Sequence, residues 1–254
     1  MKRTLTIIIF LAFLAACQKE KVDIPVVEIP EGSLELIHSY QLDILEPSGI
    51  SFGSDGQTLL IVSDNANMVY EITLEGLVVR TLNYVGVDLE GVVYNPDENI
   101  IAVAEERLRE IVLIDYEDGN ELSRHHINVE NNNDNKGLEG LSYNLNNKAY
   151  YIVNEDLPGE LIVWNPKFDI IEKSELNFAI DYSAIFVDHD NSLLWILSDE
   201  SQTLYMCDYK ANVLMEFLLP ETKYEGVVID IELMKAFFVN DATAKLEVFD
   251  IEIE

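Results

Sequence analysis

The chain has 254 residues, of which 48% are hydrophobic, enough apolar material for one large core or two small ones. This composition excludes a mainly disordered chain. The formal net charge of −31 excludes nucleic-acid binding by counterion release, because no basic stripe offsets the 47 acidic side chains. Such a surface attracts cations and basic partners instead.

Residues 1–17 have the pattern of a bacterial export signal. Lys2 and Arg3 precede an apolar stretch, residues 5–14, that is short for a membrane-spanning helix. The segment Leu14-Ala15-Ala16-Cys17 then matches a lipobox, in which the chain is cut before the cysteine and the thiol is acylated. We therefore predict a lipoprotein signal peptide, lipidation of Cys17 and a lipid-anchored position in the cell envelope, outside the cytoplasm, with the outer membrane as the expected membrane. An ordinary cleaved signal peptide is the alternative.

Residues 18–32 are polar and contain Pro25 and Pro30, which predicts a flexible, semi-extended tether. The folded domain is expected over residues 33–254. Once Cys17 is acylated, Cys207 has no partner for an intrachain disulfide, and its apolar neighbours predict a small core residue.

Two markers repeat in phase along this domain. A small residue at the start of a short strand recurs at intervals of 42, 49, 44 and 42 residues, at Gly49, Gly91, Gly140, Ala184 and Gly226. An acidic residue after an apolar run follows it by 15, 14, 15, 15 and 15 positions, at Asp64, Glu105, Glu155, Asp199 and Asp241. Two markers locked together over five cycles indicate an internal structural repeat.

Each cycle contains short strand patterns separated by polar turns, and the first four cycles contain four strands each. A period of this length built from four strands is typical of a β-propeller blade. One outer-type strand, expected in two pieces over residues 34–37 and 39–42, precedes the first marker, and the fifth cycle stops at its third strand. We therefore predict an all-β fold, a five-bladed β-propeller closed by the N-terminal strand, which leaves no open sheet edge in the ring. Two β-sandwich domains are the competing interpretation, but nothing interrupts the period in mid-chain.

In such a ring the first strand of each blade begins, and the second strand ends, at the same channel mouth. We predict that Glu90, Glu139 and Glu225, at strand starts, are metal ligands. The acidic markers Asp64, Glu105, Glu155, Asp199 and Asp241 are predicted to bind ligand at the same opening. Ser48 and Ser183 occupy the corresponding strand starts in the other two cycles.

So many carboxylates in a confined space require protons or a cation as compensation. Oxygen ligands on flexible loops suit Ca²⁺ better than Mg²⁺, so calcium is the expected cofactor. In the alternative, these acids cap local N–H groups or lie in solvent, and the small residues serve tight packing alone. The polar segment 131–137 is expected to be a long loop at the mouth, because Lys136 and the position of Gly137 do not fit an EF-hand.

Other chemistries have little support in the sequence. The four histidines show no zinc-ligand spacing, and no nucleophile elbow, phosphate-binding loop or dinucleotide fingerprint is present. The tryptophans fit strand cores, whereas Tyr94, Tyr143 and Tyr224 lie near the markers and could line a pocket.

Several spaced motifs resemble the SdiA-regulated (YjiK-like) family: Glu46-Pro47-Ser48-Gly49-Ile50, Ile61-Val62-Ser63-Asp64-Asn65, Asp88-Leu89-Glu90-Gly91-Val92, Lys136-Gly137-Leu138-Glu139-Gly140-Leu141 and Tyr224-Glu225-Gly226-Val227. The resemblance covers residues 34–254. It implies an extracytoplasmic, often membrane-anchored β-propeller, and it transfers no catalytic residues. The Glu-Gly motifs are more distantly similar to calcium-using phytase-like and esterase-like propellers, although Ser183-Ala184 departs from this pattern.

Three hypotheses on function follow. The first is a lipid-anchored propeller that binds a divalent cation, with a small-molecule or peptide ligand, at the acidic mouth. The second is a calcium-dependent hydrolase of phosphoesters or lactones, in which the ion polarises the substrate and a carboxylate acts as base. The third is a protein-interaction scaffold whose charged rim is incidental.

Overall fold

The computed structural model of the protein describes residues 29–129, 133 and 136–253. The expected signal, Cys17, most of the tether and part of the loop 131–137 lie outside the described residues. Within those ranges all regular secondary structure is β-strand. The same ranges contain no helix of the length and apolarity that crossing a membrane requires.

The strands are short and are joined mostly by tight turns, as the alternation of apolar runs with Asn, Asp and Gly predicted. The first ten are β1 (Glu31–Gln41), β2 (Pro47–Phe52), β3 (Thr58–Ser63), β4 (Met68–Thr73), β5 (Val78–Val85), β6 (Leu89–Asn95), β7 (Ile100–Glu105), β8 (Glu110–Asp115), β9 (Glu121–His126) and β10 (Leu138–Asn144). The next ten are β11 (Ala149–Asn154), β12 (Glu160–Asn165), β13 (Asp169–Glu175), β14 (Ala184–Asp188), β15 (Leu193–Ser198), β16 (Thr203–Asp208), β17 (Val213–Leu218), β18 (Tyr224–Asp230), β19 (Lys235–Asn240) and β20 (Lys245–Glu252).

Three sheets each contain four consecutive antiparallel strands, β2 to β5, β6 to β9 and β10 to β13. The remaining strands form one eight-stranded sheet in the order β14-β15-β16-β17-β1-β20-β19-β18. Strand β1 pairs antiparallel with β20 along most of its length, and it meets β17 only through Glu31 and Gly32. The two short strands expected at residues 34–37 and 39–42 are one strand, because a register shift between Leu36 and His38 lets the pairing with β20 continue.

The first strands of the cycles, β2, β6, β10, β14 and β18, contact one another in a closed cyclic order around a central channel. The small-residue marker makes this close approach possible. A Cβ atom added to Gly49, Gly91 or Gly226 would lie closer than 3.0 Å to the backbone of the next inner strand, a distance that real Cβ atoms do not reach. For Gly226 the backbone in question is that of Ser48, so the last inner strand packs against the first.

The hydrophobic core is divided into clusters that lie between neighbouring groups of four strands. One cluster joins Leu60 of β3 to Val103 of β7. Another joins Val239 of β19 to Ile61 of β3, and so closes the ring from the C-terminal side. All four side chains are fully buried. Because apolar burial is the main favourable contribution to folding, these clusters hold the ring together.

Gly91→Ala should destabilise the fold, because the methyl group would enter the space occupied by the Glu139 carbonyl and the Leu141 side chain. We expect a loss of about 1–3 kcal/mol in the free energy of unfolding, as for other overpacked sites. Chemical denaturation measures it, with Glu98→Ala on the exposed turn of the same hairpin as the control. A midpoint for Gly91→Ala equal to that of the control would contradict this role of the glycine.

Candidate functional site

A cavity of about 400 Å³ lies at the channel mouth where the inner strands begin, and we call it the acidic cavity. Eleven of its fourteen lining residues have carboxyl groups, two are serines and one is a lysine. The carboxyl groups belong to Glu46, Asp64, Glu90, Glu106, Glu139, Glu155, Asp181, Asp199, Glu200, Glu225 and Asp241. The cavity therefore concentrates negative charge to which every cycle of the repeat contributes.

A repeated backbone arrangement positions these acids. In four cycles the ladder between the first and second strands shifts register at the marker, and such bulges redirect side chains. In the same cycles the N–H of the loop acid donates to the carbonyl of the residue three positions before the small residue. These hydrogen bonds join Asp64 to Glu46 (3.2 Å), Glu106 to Asp88 (3.0 Å), Glu155 to Gly137 (3.0 Å) and Asp241 to Lys223 (2.9 Å).

The fourth cycle is built differently. The pairing of β14 with β15 has no register shift, and the Ser183 N–H donates to the Leu197 carbonyl instead (3.0 Å). This is the cycle in which Ser183-Ala184 replaces Glu-Gly, so the cavity is asymmetric as the sequence indicated.

The prediction that Glu105 lies at the mouth is wrong, because its side chain is fully buried away from the cavity. The Glu105 carboxylate accepts hydrogen bonds from the Tyr84 hydroxyl (2.6 Å) and the Val87 N–H (3.0 Å), and it pairs with Arg124. Glu106 takes the cavity position, since β7 ends at Glu105 and the loop begins one residue later. The spacing of 15 residues in the other cycles pointed to position 106 and was the signal that we missed.

The same substitution should therefore destabilise the protein at Glu105 and not at the neighbouring Glu106. Glu105→Gln removes a fully buried carboxylate that accepts from the Tyr84 hydroxyl and the Val87 N–H. Arg124 keeps its ion pairs with Glu110 and Glu121, so we expect a loss of about 1–3 kcal/mol in the free energy of unfolding. Glu106→Gln should leave the fold intact, because an amide oxygen can still accept the Gly137 N–H (2.9 Å). Thermal melting of the two variants at neutral pH checks this contrast, and equal losses would contradict the assigned positions.

The three predicted metal ligands line the cavity but do not form one ligand set. One carboxylate oxygen each of Glu106, Glu139 and Glu155 lies within 4.8 Å of the other two. Glu90 belongs to a second group of the same kind, with Asp64 and Asp88. Glu225 is paired with the Lys223 ammonium at 3.3 Å.

Burial and mutual repulsion keep protons on several of these groups. Burial raises the pKa of Glu90 and of Glu139 well above the ordinary value, and neighbouring carboxylates add to the shift. Burial also raises the pKa of Glu106 and of Glu225 to about 7, and that of Asp64 to about 6. Near pH 7 the carboxyl groups of Glu106 and Glu225 are therefore partly protonated and partly ionised.

Lysines compensate part of the charge. The Lys223 ammonium lies 2.9 Å from Asp199 and 3.3 Å from Glu225, and its hydrogen bond to Asp199 raises the pKa of Lys223. At the rim, Lys136 lies 3.3 Å from Glu155 and 3.2 Å from Asp156. Two ammonium groups do not balance eleven carboxyl groups, so the site keeps a capacity for cations.

Sequence reasoning missed Glu46, Asp181 and Lys223, although a third in-phase position contains them. All three lie three residues before the small residue, at the place that Asp88 and Gly137 occupy in the other cycles. Glu46, Asp88 and Lys223 have positive φ angles of 47°, 58° and 68°. Residue type alone does not predict such a φ angle, so the sequence pattern did not show where Glu46 and Lys223 point.

The four-stranded arrangement, repeated around a channel, defines the protein as a β-propeller, as predicted. The solved structure of glutaminyl cyclase from Myxococcus xanthus is similar, with a TM-score of 0.70 and 12% identity over 89% of this chain and 100% of that one. Streptogramin B lyase is also similar, with a TM-score of 0.51 and 14% identity over 83% of this chain and 71% of that one. At these identities the likeness concerns the fold alone.

The family model described as SdiA-regulated matches residues 37–232, and the chain belongs to this family. The resemblance inferred from the Glu-Gly motifs is thus confirmed.

Proposed function

We propose that the protein binds a divalent cation, calcium, in the acidic cavity. The central observation is the group of Glu106, Glu139 and Glu155. Glu139 is only 9% exposed, and burial together with the nearby carboxylates of Glu90, Glu106 and Glu155 raises its pKa well above the ordinary value. A carboxylate in such a place is unfavourable unless it is protonated or meets a cation.

The ligand type of this group favours calcium over magnesium. One carboxylate oxygen each of Glu106, Glu139 and Glu155 lies within 4.8 Å of the other two. Calcium accepts several carboxylate oxygens in a flexible geometry, whereas magnesium usually keeps several waters and is held by one or two carboxylates. The Glu106, Glu139 and Glu155 carboxylates would hold the ion, with a small or peptide ligand completing its coordination from solvent.

The wider arrangement belongs to the same proposal. We take the eight-stranded sheet as two blades, β14 to β17 and β18 to β20 with β1, which gives a five-bladed ring closed by the N-terminal strand. The cyclic contacts of the inner strands support this count. Lipidation of Cys17 would anchor the ring to the cell envelope through the tether. Metabolic labelling with a fatty acid, lost in Cys17→Ser, tests the anchor.

Isothermal titration of the purified, chelator-treated protein tests the cation site. At about pH 7.5, where Glu106 and Glu225 are largely ionised, we expect saturable calcium binding and weaker magnesium binding. Binding should become weaker toward about pH 5.5, because the ion must displace protons from the same carboxyl groups. A titration with no heat and no rise in melting temperature at millimolar calcium would refute the proposal.

A further inference from the structure

The channel opens at its opposite end into a second cavity of about 310 Å³, which we call the apolar cavity. It lies where the inner strands end, whereas the acidic cavity lies where they begin. A constriction of about 10 Å³ separates the two, and Gly49, Gly91, Gly140 and Ala184 are among its lining residues. The two cavities can therefore bind different molecules.

The lining of the apolar cavity contrasts with the charge of the chain. Four aromatic rings, those of Phe52, Tyr94, Tyr143 and Phe186, surround an aliphatic floor that includes Leu141. No Asp, Glu, Lys or Arg is among the described lining residues. Tyr94 and Tyr143 were predicted to line a pocket, whereas the Tyr224 ring is fully buried and its hydroxyl donates to Glu247.

An acidic rim adjoins this neutral cavity. The adjacent groove shares Phe52, Phe186 and His189 with the cavity and adds five carboxyl groups. These groups belong to Asp55, Asp188, Asp190, Asp230 and Glu232. Negative charge at an entrance repels anions and admits neutral or cationic molecules.

We propose that the apolar cavity binds a small aromatic molecule that has no negative charge. Its volume is in the range of small-molecule sites, which are concave and mostly apolar. Aromatic side chains favour flat rings through offset and edge-to-face contacts in addition to simple apolar burial. The acidic rim selects against anions, and it would pair with an amine on the bound molecule.

Two fluorescent probes with the same ring system test this proposal. Phenylnaphthylamine is neutral, and anilinonaphthalenesulfonate differs from it by one sulfonate group. With the purified protein at low salt, we expect saturable fluorescence enhancement by the neutral probe and at least about tenfold weaker binding of the anionic one. Millimolar calcium should leave the neutral probe in place, because the constriction separates the two sites. Equal binding of both probes, or binding of neither, would overturn the proposal.

Matched variants locate the probe. Leu145→Glu places a charge in the half-buried lining of the apolar cavity and should lower the affinity for the neutral probe at least about tenfold. Leu233→Glu adds the same charge at an exposed position outside both the cavity and its rim, and should leave binding unchanged. If Leu145→Glu does not fold, Pro96→Glu makes the same test at an exposed position of the lining. Unchanged binding in a folded cavity variant would also overturn the proposal.

Discussion

In the presence of a chelator, the melting temperature of the protein should fall as the pH rises from about 5 to about 8. Carboxyl groups whose pKa is raised by folding bind more protons in the folded state than in the unfolded state. Stability therefore decreases with pH, from the ordinary pKa of 4.5 up to about 7 for Glu106 and Glu225. The raised pKa of Glu225 alone corresponds to a loss on the order of 3 kcal/mol in the free energy of unfolding over this pH range.

At acidic pH the stability instead falls as the pH falls, because groups whose pKa is lowered by folding dominate there. Glu71 accepts hydrogen bonds from Thr58, Arg80 and Tyr116, and these hold its pKa below the ordinary value despite its burial. Its contribution is lost as the pH falls below about 4.5. We therefore expect maximal stability near about pH 5 without calcium. Differential scanning calorimetry across this range measures the profile.

Millimolar calcium provides the control for the pH experiment. A bound cation replaces the protons, so the decline in melting temperature toward about pH 8 should disappear or reverse. A flat profile in chelator, or a profile that calcium leaves unchanged, would contradict the assignment of the shifted carboxyl groups to a cation site.

Glu139→Gln should stabilise the calcium-free protein and abolish its response to calcium. The amide keeps the shape of the side chain and cannot ionise, so folding no longer has to raise the pKa of a buried carboxyl group and the melting temperature in chelator at about pH 8 should rise. The same change removes a ligand from the Glu106, Glu139 and Glu155 group. We expect the calcium affinity to fall at least about tenfold, as measured by isothermal titration.

Glu200→Gln is the matched control, because it removes one negative charge from an exposed residue of the same acidic cavity. Its effects on melting and on calcium affinity should be small, since an exposed charge is screened by water and salt. If Glu139→Gln destabilised the protein at every pH and still bound calcium, Glu139 would be a structural residue.

The β-propeller fold was predictable because its geometry requires a residue pattern that repeats along the sequence. Inner strands this close require a residue without a bulky side chain, so Gly49, Gly91, Gly140 and Gly226 recur with the period of the repeat. The convergence of the strand starts on one opening followed from the same period.

The contents of the two cavities were less predictable. The position of Glu106 depends on where β7 ends, and one residue of difference exchanges a buried structural acid for a cavity acid. The direction of Lys223 depends on a positive φ and a neighbouring bulge, which residue type does not reveal. The apolar cavity brings together side chains from the ends of five strands, so no local segment contains its pattern.

Anomalous diffraction from crystals grown with calcium would locate the bound ion. We expect a peak in the acidic cavity at about 2.3–2.6 Å from carboxylate oxygens of Glu106, Glu139 and Glu155. The peak should be absent from crystals of Glu139→Gln grown in the same way. A fully occupied calcium elsewhere on the molecule, with no peak beside Glu139, would contradict the proposed cation site.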